Sequence, residues 1–132
     1  MDDKGPSLDF KQGDICHFEI PVSDKARARS FYGEVFGWTF QDVPEMDYTL
    51  FQTPGKGMAV GGGLFTPSDQ MPNKVINYLA VDSLEKTAER VVKFGGKAIS
   101  PAIDIGGHGR MMHIADSEGN VIAMWEPAKG SR

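Results

Sequence analysis

The chain has one cysteine, Cys16, among 132 residues, so no disulfide can form within it. This usage fits a reducing compartment, and the sequence leads us to expect a cytoplasmic protein. No apolar run approaches the roughly 20 residues that span a bilayer, which argues against a membrane partner. Residues 1 to 12, MDDKGPSLDFKQ, are acidic and broken by Gly5-Pro6. They lack the charged and apolar regions of a secretory signal and read as a flexible arm. There is also no run of like charges, and the net charge is −4. Nucleic acid is excluded as an expected partner, because it needs a concentrated basic patch. Lys25, Arg27 and Arg29 alternate along a helix and read as its solvated face. The dinucleotide pattern is missing too: Gly55-Lys56-Gly57 lacks the third glycine and precedes a strand.

The stretch from Gly13 to Trp38, GDICHFEIPVSDKARARSFYGEVFGW, organises what is present. Ile15 to Val22 alternates, with Cys16, Phe18 and Ile20 on one face of a strand and His17 and Glu19 on the other. Ser23 or Asp24 can cap the helix that follows. Ala28, Phe31, Tyr32, Val35 and Phe36 fall at helical spacing and predict a core-facing stripe. Gly37 suits a left-handed helix end. Trp38 to Val43, Tyr48 to Thr53 and Met58 to Phe65 read as three strands separated by turn residues. The last contains Gly61, Gly62 and Gly63, and such a run predicts a bulge or the close approach of another group.

Residues 66–74, TPSDQMPNK, read as a linker. The pattern then repeats. Val75 to Val81 is a strand, and Asp82 or Ser83 caps a second helix with Leu84, Ala88, Val91 and Val92 inward. Lys97 to Ser100 is a short strand, Ala102 to Gly109 a glycine-rich loop, and Arg110 to Ala115 with Asn120 to Trp125 a hairpin. Val22 and Val81 lie 59 positions apart, as do Gly37 and Gly96. Two units of one helix and four strands are therefore predicted, an α+β fold of tandem βαβββ repeats. The expected layout is a single domain over 13–127, with halves 13–65 and 75–127 and a loose tail at 128–132. A half of this size buries little alone, so the halves of one chain or of two must share a core.

With these elements in place, the chain resembles the vicinal oxygen chelate superfamily of glyoxalase I, bleomycin- and fosfomycin-resistance proteins and extradiol dioxygenases. The resemblance rests on HFEIPVSDKARARSFYGEVFGW, YLAVDSLEKTAERVVKFGGK and IADSEGNVIAMWEP. It implies curved mixed sheets around a cavity, a small-molecule ligand, and pairing of chains as a homodimer. It also implies a metal held from the first and fourth strands of each half. Carried over residue by residue, those ligand positions fall on His17, near Gly62, on Ile76 and on Ala123. Three of the four have no donor side chain. A catalytic metal needs about three protein ligands, so the expectation is no metal and no cofactor. A divalent metal in an atypical site is the alternative.

His17 and Glu19 are the candidate catalytic pair. An imidazole titrating near neutral pH suits proton transfer, but it equally suits a hydrogen-bonded pocket residue. A buried carboxylate needs a partner or a raised pKa, which a structural ion pair would also supply. Tyr78 and Trp125 follow Ile76 and Ala123 by two-residue steps, so they either line an apolar ligand pocket or pack a core. Together with Gly62, Ile76 and Ala123 they are the candidate ligand-binding residues. His108 lies in a loop, and the facing of His113 is open. Two functions follow as expectations: a binding protein of the bleomycin-resistance kind, or a lyase- or isomerase-type enzyme using His17 and Glu19. An interaction module filled by its own side chains is a third.

Overall fold

β1, Ile15–Pro21, forms where the alternating sequence predicts it. The computed structural model describes residues 10–55, 61–69 and 73–128. The arm up to residue 9, the turn and strand start at 56–60, residues 70–72 of the linker and the tail from 129 lie outside the described residues. The chain divides into two compact units, Cys16–Asn77 and a second built from Tyr78 onward together with the residues up to Ile15.

In the first unit, α1 (Lys25–Phe36) starts at Asp24, whose carboxylate accepts the Arg27 N–H at 3.0 Å. Asp24, not Ser23, is therefore the cap. Gly37 closes the helix at φ 76°, a conformation that costs glycine little. β2 (Thr39–Val43), β3 (Tyr48–Gln52) and β4 (Gly61–Phe65) follow, and the strand order is β2-β3-β4-β1. β4 is antiparallel to β3 and parallel to β1. Tyr32 of α1 stacks on Trp38 at 4.5 Å between ring centroids, and Trp38 stacks on Phe51 at 4.4 Å. Offset aromatic pairs of this kind each add about 1 kcal/mol beyond their buried area. This ladder fixes α1 on the face of Phe51.

The anticipated apolar stripe of α1 is only partly inward. Phe31, Val35 and Phe36 are more than half exposed, and the helix makes its contacts through Ala28, Tyr32 and Gly33. The five apolar positions span a wide arc, and the single aromatic ladder engages one edge of it. On that side Arg29 holds Asp42 through two 2.9 Å bonds, and Thr49 donates to the same carboxylate.

The second unit contains β5 (Ile76–Ala80, whose last three residues belong to it), α2 (Leu84–Lys93), β6 (Lys97–Ala98), β7 (Ile103–Asp104), β8 (Arg110–Ala115) and β9 (Val121–Glu126). The order is β5-β9-β8-β6, with β7 also paired to β8. β5 and β9 are parallel, as β1 and β4 are in the first unit. β7 falls inside what the sequence reads as a glycine-rich loop. Two residues are too few to show alternation, and Pro101 interrupts the edge on which β6 and β7 both lie. Ser83 caps α2 by accepting the Lys86 N–H.

α2 covers Val81, Leu84, Met112, Ile114 and Met124, with Ala88 and Val91 packed against them. Each such side chain contributes about 1.5 to 3 kcal/mol on burial. Val92, expected inward, is exposed. Glu126 adds a tertiary cap: its Oε1 accepts the Leu84 N–H at 3.0 Å and an Arg110 N–H at 2.7 Å. Arg110 also grips Glu85 in two bonds. Glu126→Ala should therefore cost about 1 kcal/mol of stability, read as a lower urea midpoint with unchanged slope.

Candidate functional site

The two side-chain faces of each sheet follow from register. In the first unit Glu19 pairs with Gly63, and Gly63 with Leu50. Tyr48, two residues from Leu50, shares that face. Phe18, Gly62 and Phe51 form the opposite row, under the aromatic ladder of α1. His17 and Glu19 thus lie on the face turned away from α1, as the alternation of β1 requires.

Tyr48 joins them. Its hydroxyl donates to Glu19 Oε2 at 2.7 Å and lies 2.7 Å from His17 Nε2. A phenol has one proton. With that proton given to the carboxylate, His17 Nε2–H must be the donor to Tyr48 Oη, which leaves Nδ1 as the basic nitrogen. Burial holds the imidazole neutral, with its pKa lowered to about 4. Glu19 is buried, with 6% of its surface exposed. Nothing in the sequence of Tyr48 singles it out, because the link spans 31 residues and depends on the register of three strands.

The neutral histidine has a consequence for stability. The folded pKa lies below the usual 6.5, so between those values the unfolded chain binds more protons and stability falls as pH falls. The contribution is complete above about pH 6.5 and is lost on acidification toward pH 4, up to about 3 kcal/mol. Denaturation midpoints at pH 7.5, 6 and 5 should show the decline, and His17→Phe should flatten it. His113 is shifted the same way by burial and supplies the residual slope in that variant.

The glycines of β4 are closely approached by other groups. A Cβ at Gly62 would meet the Phe18 carbonyl oxygen, and the Phe51 ring at 2.6 Å. Gly62 therefore sits on the α1 side, and Gly63 is the glycine beneath Tyr48, whose ring a Cβ at Gly63 would strike. The expectation of a close approach holds, and of the two it is Gly63, not Gly62, that lies on the His17 face. A strand of three glycines carries no alternation from which to set the phase.

Ile76 is fully buried at the end of the first unit. In the second unit, register places Tyr78 beside Ala123 and Ala123 beside His113, all on the face turned away from α2. Ala80, Trp125 and Met111 form the next row. Tyr78, Ala123 and His113 are buried, and Trp125 is half-buried. The Trp125 indole N–H donates to the His108 carbonyl at 2.7 Å, which ties the His108 loop to this strand. His108 contributes its backbone there. Cys16 is half-buried on the face opposite His17. A cleft of about 400 Å³ lies beside Asp104, Arg110, Glu126 and Pro127. Arg110 and Glu126 of its lining are engaged in the Arg110 clamp.

The donor set does not fit the superfamily's metal. His17 Nε2 is bonded to Tyr48, and Gly62, Ile76 and Ala123 have no donor atoms. Among the described residues no three His, Cys, Asp or Glu side chains are grouped to hold an ion.

The sequence model of the family "Bleomycin resistance protein-like N-terminal" matches residues 14–54. A glyoxylase-like domain-containing protein of Didymella fabae is 34% identical over 119 residues, covering 85% of this chain and 92% of that one. CFP32 of Mycobacterium bovis, a protein bearing the name glyoxylase, is 29% identical, with 89% of this chain and 47% of that one covered. The anthracycline biosynthesis protein DnrV of Streptomyces peucetius is 32% identical, with coverages of 88% and 48%. The chain thus spans about half the length of several curated relatives it matches. Among solved structures, methylmalonyl-CoA epimerase of Mycobacterium tuberculosis superposes with a TM-score of 0.65 at 17% identity, covering 94% of each chain. The shared βαβββ repeats and the full-length relative together place this chain in the vicinal oxygen chelate superfamily, with its glyoxalase- and bleomycin-resistance-like proteins.

Proposed function

We propose that the protein binds a small, largely apolar molecule without the superfamily's metal, in the manner of bleomycin-resistance proteins. One observation carries this reading: the single histidine surviving from the ligand set has its Nε2 closed into a hydrogen-bond chain with Tyr48 and Glu19. A ring nitrogen whose proton is committed to Tyr48 offers no lone pair to a cation, so the neutral imidazole serves as a polar wall of a ligand site better than as a metal ligand. Leu50 and the Tyr48 ring share the face of His17, apolar surface of the kind a small-molecule site uses. The similarity to a protein named for anthracycline biosynthesis makes ring-bearing molecules the first class to try.

Native mass spectrometry of protein purified without chelators tests the reading, together with elemental analysis. Apoprotein free of stoichiometric metal, with a ligand retained or taken up from a panel of ring compounds, is the expected result. One equivalent of zinc, nickel, manganese or iron that disappears in His17→Ala would overturn it.

The same chain of hydrogen bonds favours a second reading, a lyase- or isomerase-type enzyme in which His17 and Glu19 move protons through Tyr48. Turnover of the methylglyoxal–glutathione hemithioacetal, abolished in His17→Ala and Glu19→Gln, would establish it. We further propose a homodimer, since Phe31, Val35 and Phe36 leave an apolar edge of α1 exposed. Sedimentation velocity at micromolar concentration showing only monomer would exclude it.

A further inference from the structure

We infer that His113 is a ligand contact, and that its imidazole Nε2 hydrogen-bonds a hydroxyl or carbonyl group of an uncharged, ring-bearing small molecule. The inference rests on the small-molecule reading above and concerns side chains that all lie within the second unit.

Three observations carry it. First, His113 is 97% buried, and among the described residues its Nε2 has no hydrogen-bond partner. A buried polar atom left unsatisfied is costly, and native structures rarely keep one without a use. Second, the sheet register sets its side chain on the face turned away from α2, in a row with Ala123 and Tyr78. Ala123, between the histidine and the tyrosine, contributes only a methyl group to this row. Met111 and Trp125 lie on the next row. Third, the edge segment opposite this residue is bulged at Ile99 and Ser100. The N–H groups of both Ile99 and Ser100 donate to the one His113 carbonyl, at 2.9 and 3.2 Å. The His113 N–H in turn donates to Ser100 Oγ at 3.0 Å. Two residues opposing one is a β-bulge, a feature that recurs beside binding sites.

The chemistry of the ligand follows. Burial disfavours the imidazolium, so the ring meets its partner as a neutral donor or acceptor. A hydroxyl serves either role, and a carbonyl serves the first. The apolar neighbours favour an aromatic or alicyclic body.

The test compares 2-naphthol with naphthalene, which differ by one hydroxyl and are both uncharged at pH 7.5. Binding is measured by fluorescence with the intact chain. Wild-type protein should prefer 2-naphthol, and His113→Phe should reduce that preference about tenfold, as loss of one buried hydrogen bond implies. An unchanged preference in a folded His113→Phe overturns the inference and leaves the binding reading standing. Failure of both probes to bind wild type overturns the ligand class, and the binding reading is then judged on its own mass-spectrometric test. Should His113→Phe not fold, the wild-type protein gives a second readout. The 15N resonance of His113 Nε2 should move on saturation with 2-naphthol, and an unmoved resonance overturns the inference.

Discussion

Gly62→Ala should destabilise the protein by about 3 kcal/mol or more, the upper end of what overpacking a core costs. A methyl group there meets the carbonyl oxygen of Phe18 on the adjacent parallel strand and, at 2.6 Å, the tip of the Phe51 ring. The first obstacle is main chain, held in the ladder between β1 and β4, and it cannot turn aside. The second is buried under Trp38. Relief requires separating two paired strands or unstacking the Tyr32–Trp38–Phe51 ladder. A domain with ordinary stability of about 5 to 15 kcal/mol would retain little margin. Guanidinium or urea denaturation checks the result, and a change below about 1 kcal/mol would show that the strands separate freely at this point.

The neighbouring glycine should behave differently. A methyl group at Gly63 strikes the ring of Tyr48, which is a side chain and can swing away. Gly63→Ala is expected to fold, with a loss of about 1 to 3 kcal/mol, and to break the His17–Tyr48–Glu19 chain. Tyr48→Phe removes the same hydroxyl without the collision and should cost about 2 kcal/mol, because a hydrogen bond to a buried carboxylate is lost. In wild type the proton of His17 sits on Nε2. In both variants that preference should disappear, and the ring 15N spectrum should show mixed tautomers. Ligand affinity should fall in both variants if the chain orients the ligand. A spectrum unchanged in Gly63→Ala would mean that Tyr48 keeps its place, contrary to the steric argument.

Much of this architecture is legible in the residues themselves. The 59-residue spacing between Val22 and Val81 and between Gly37 and Gly96 marks two strand–helix units, and alternation in β1 puts His17 and Glu19 on one face. These are local patterns, which a chain displays before it folds. The participation of Tyr48 is not local: it follows from β1, β4 and β3 lying side by side in one register. β4 begins with three glycines, so the middle strand gives no phase, and the residues alone do not say which glycine shares the face of His17. The facing of His113 is hidden for a related reason. Met111, Met112, His113 and Ile114 are continuously buried, so β8 shows no alternation. The Glu126 cap on α2 joins residues 42 apart and leaves no mark at either position. α1 shows the opposite problem, a broad apolar arc of which only one edge is used.

The two tryptophans of the sequence fall one in each unit, which makes the protein its own reporter of cooperativity. Trp38 is stacked between Tyr32 and Phe51, an environment that dissolves when the first unit opens. Trp125 is half-buried with its indole N–H on the His108 carbonyl, so its emission follows the second. Trp38→Phe and Trp125→Phe leave single-emitter proteins. Denaturation curves that coincide for the two would mean that both units melt in one transition, whereas separate midpoints would identify a half-folded species and say which half persists.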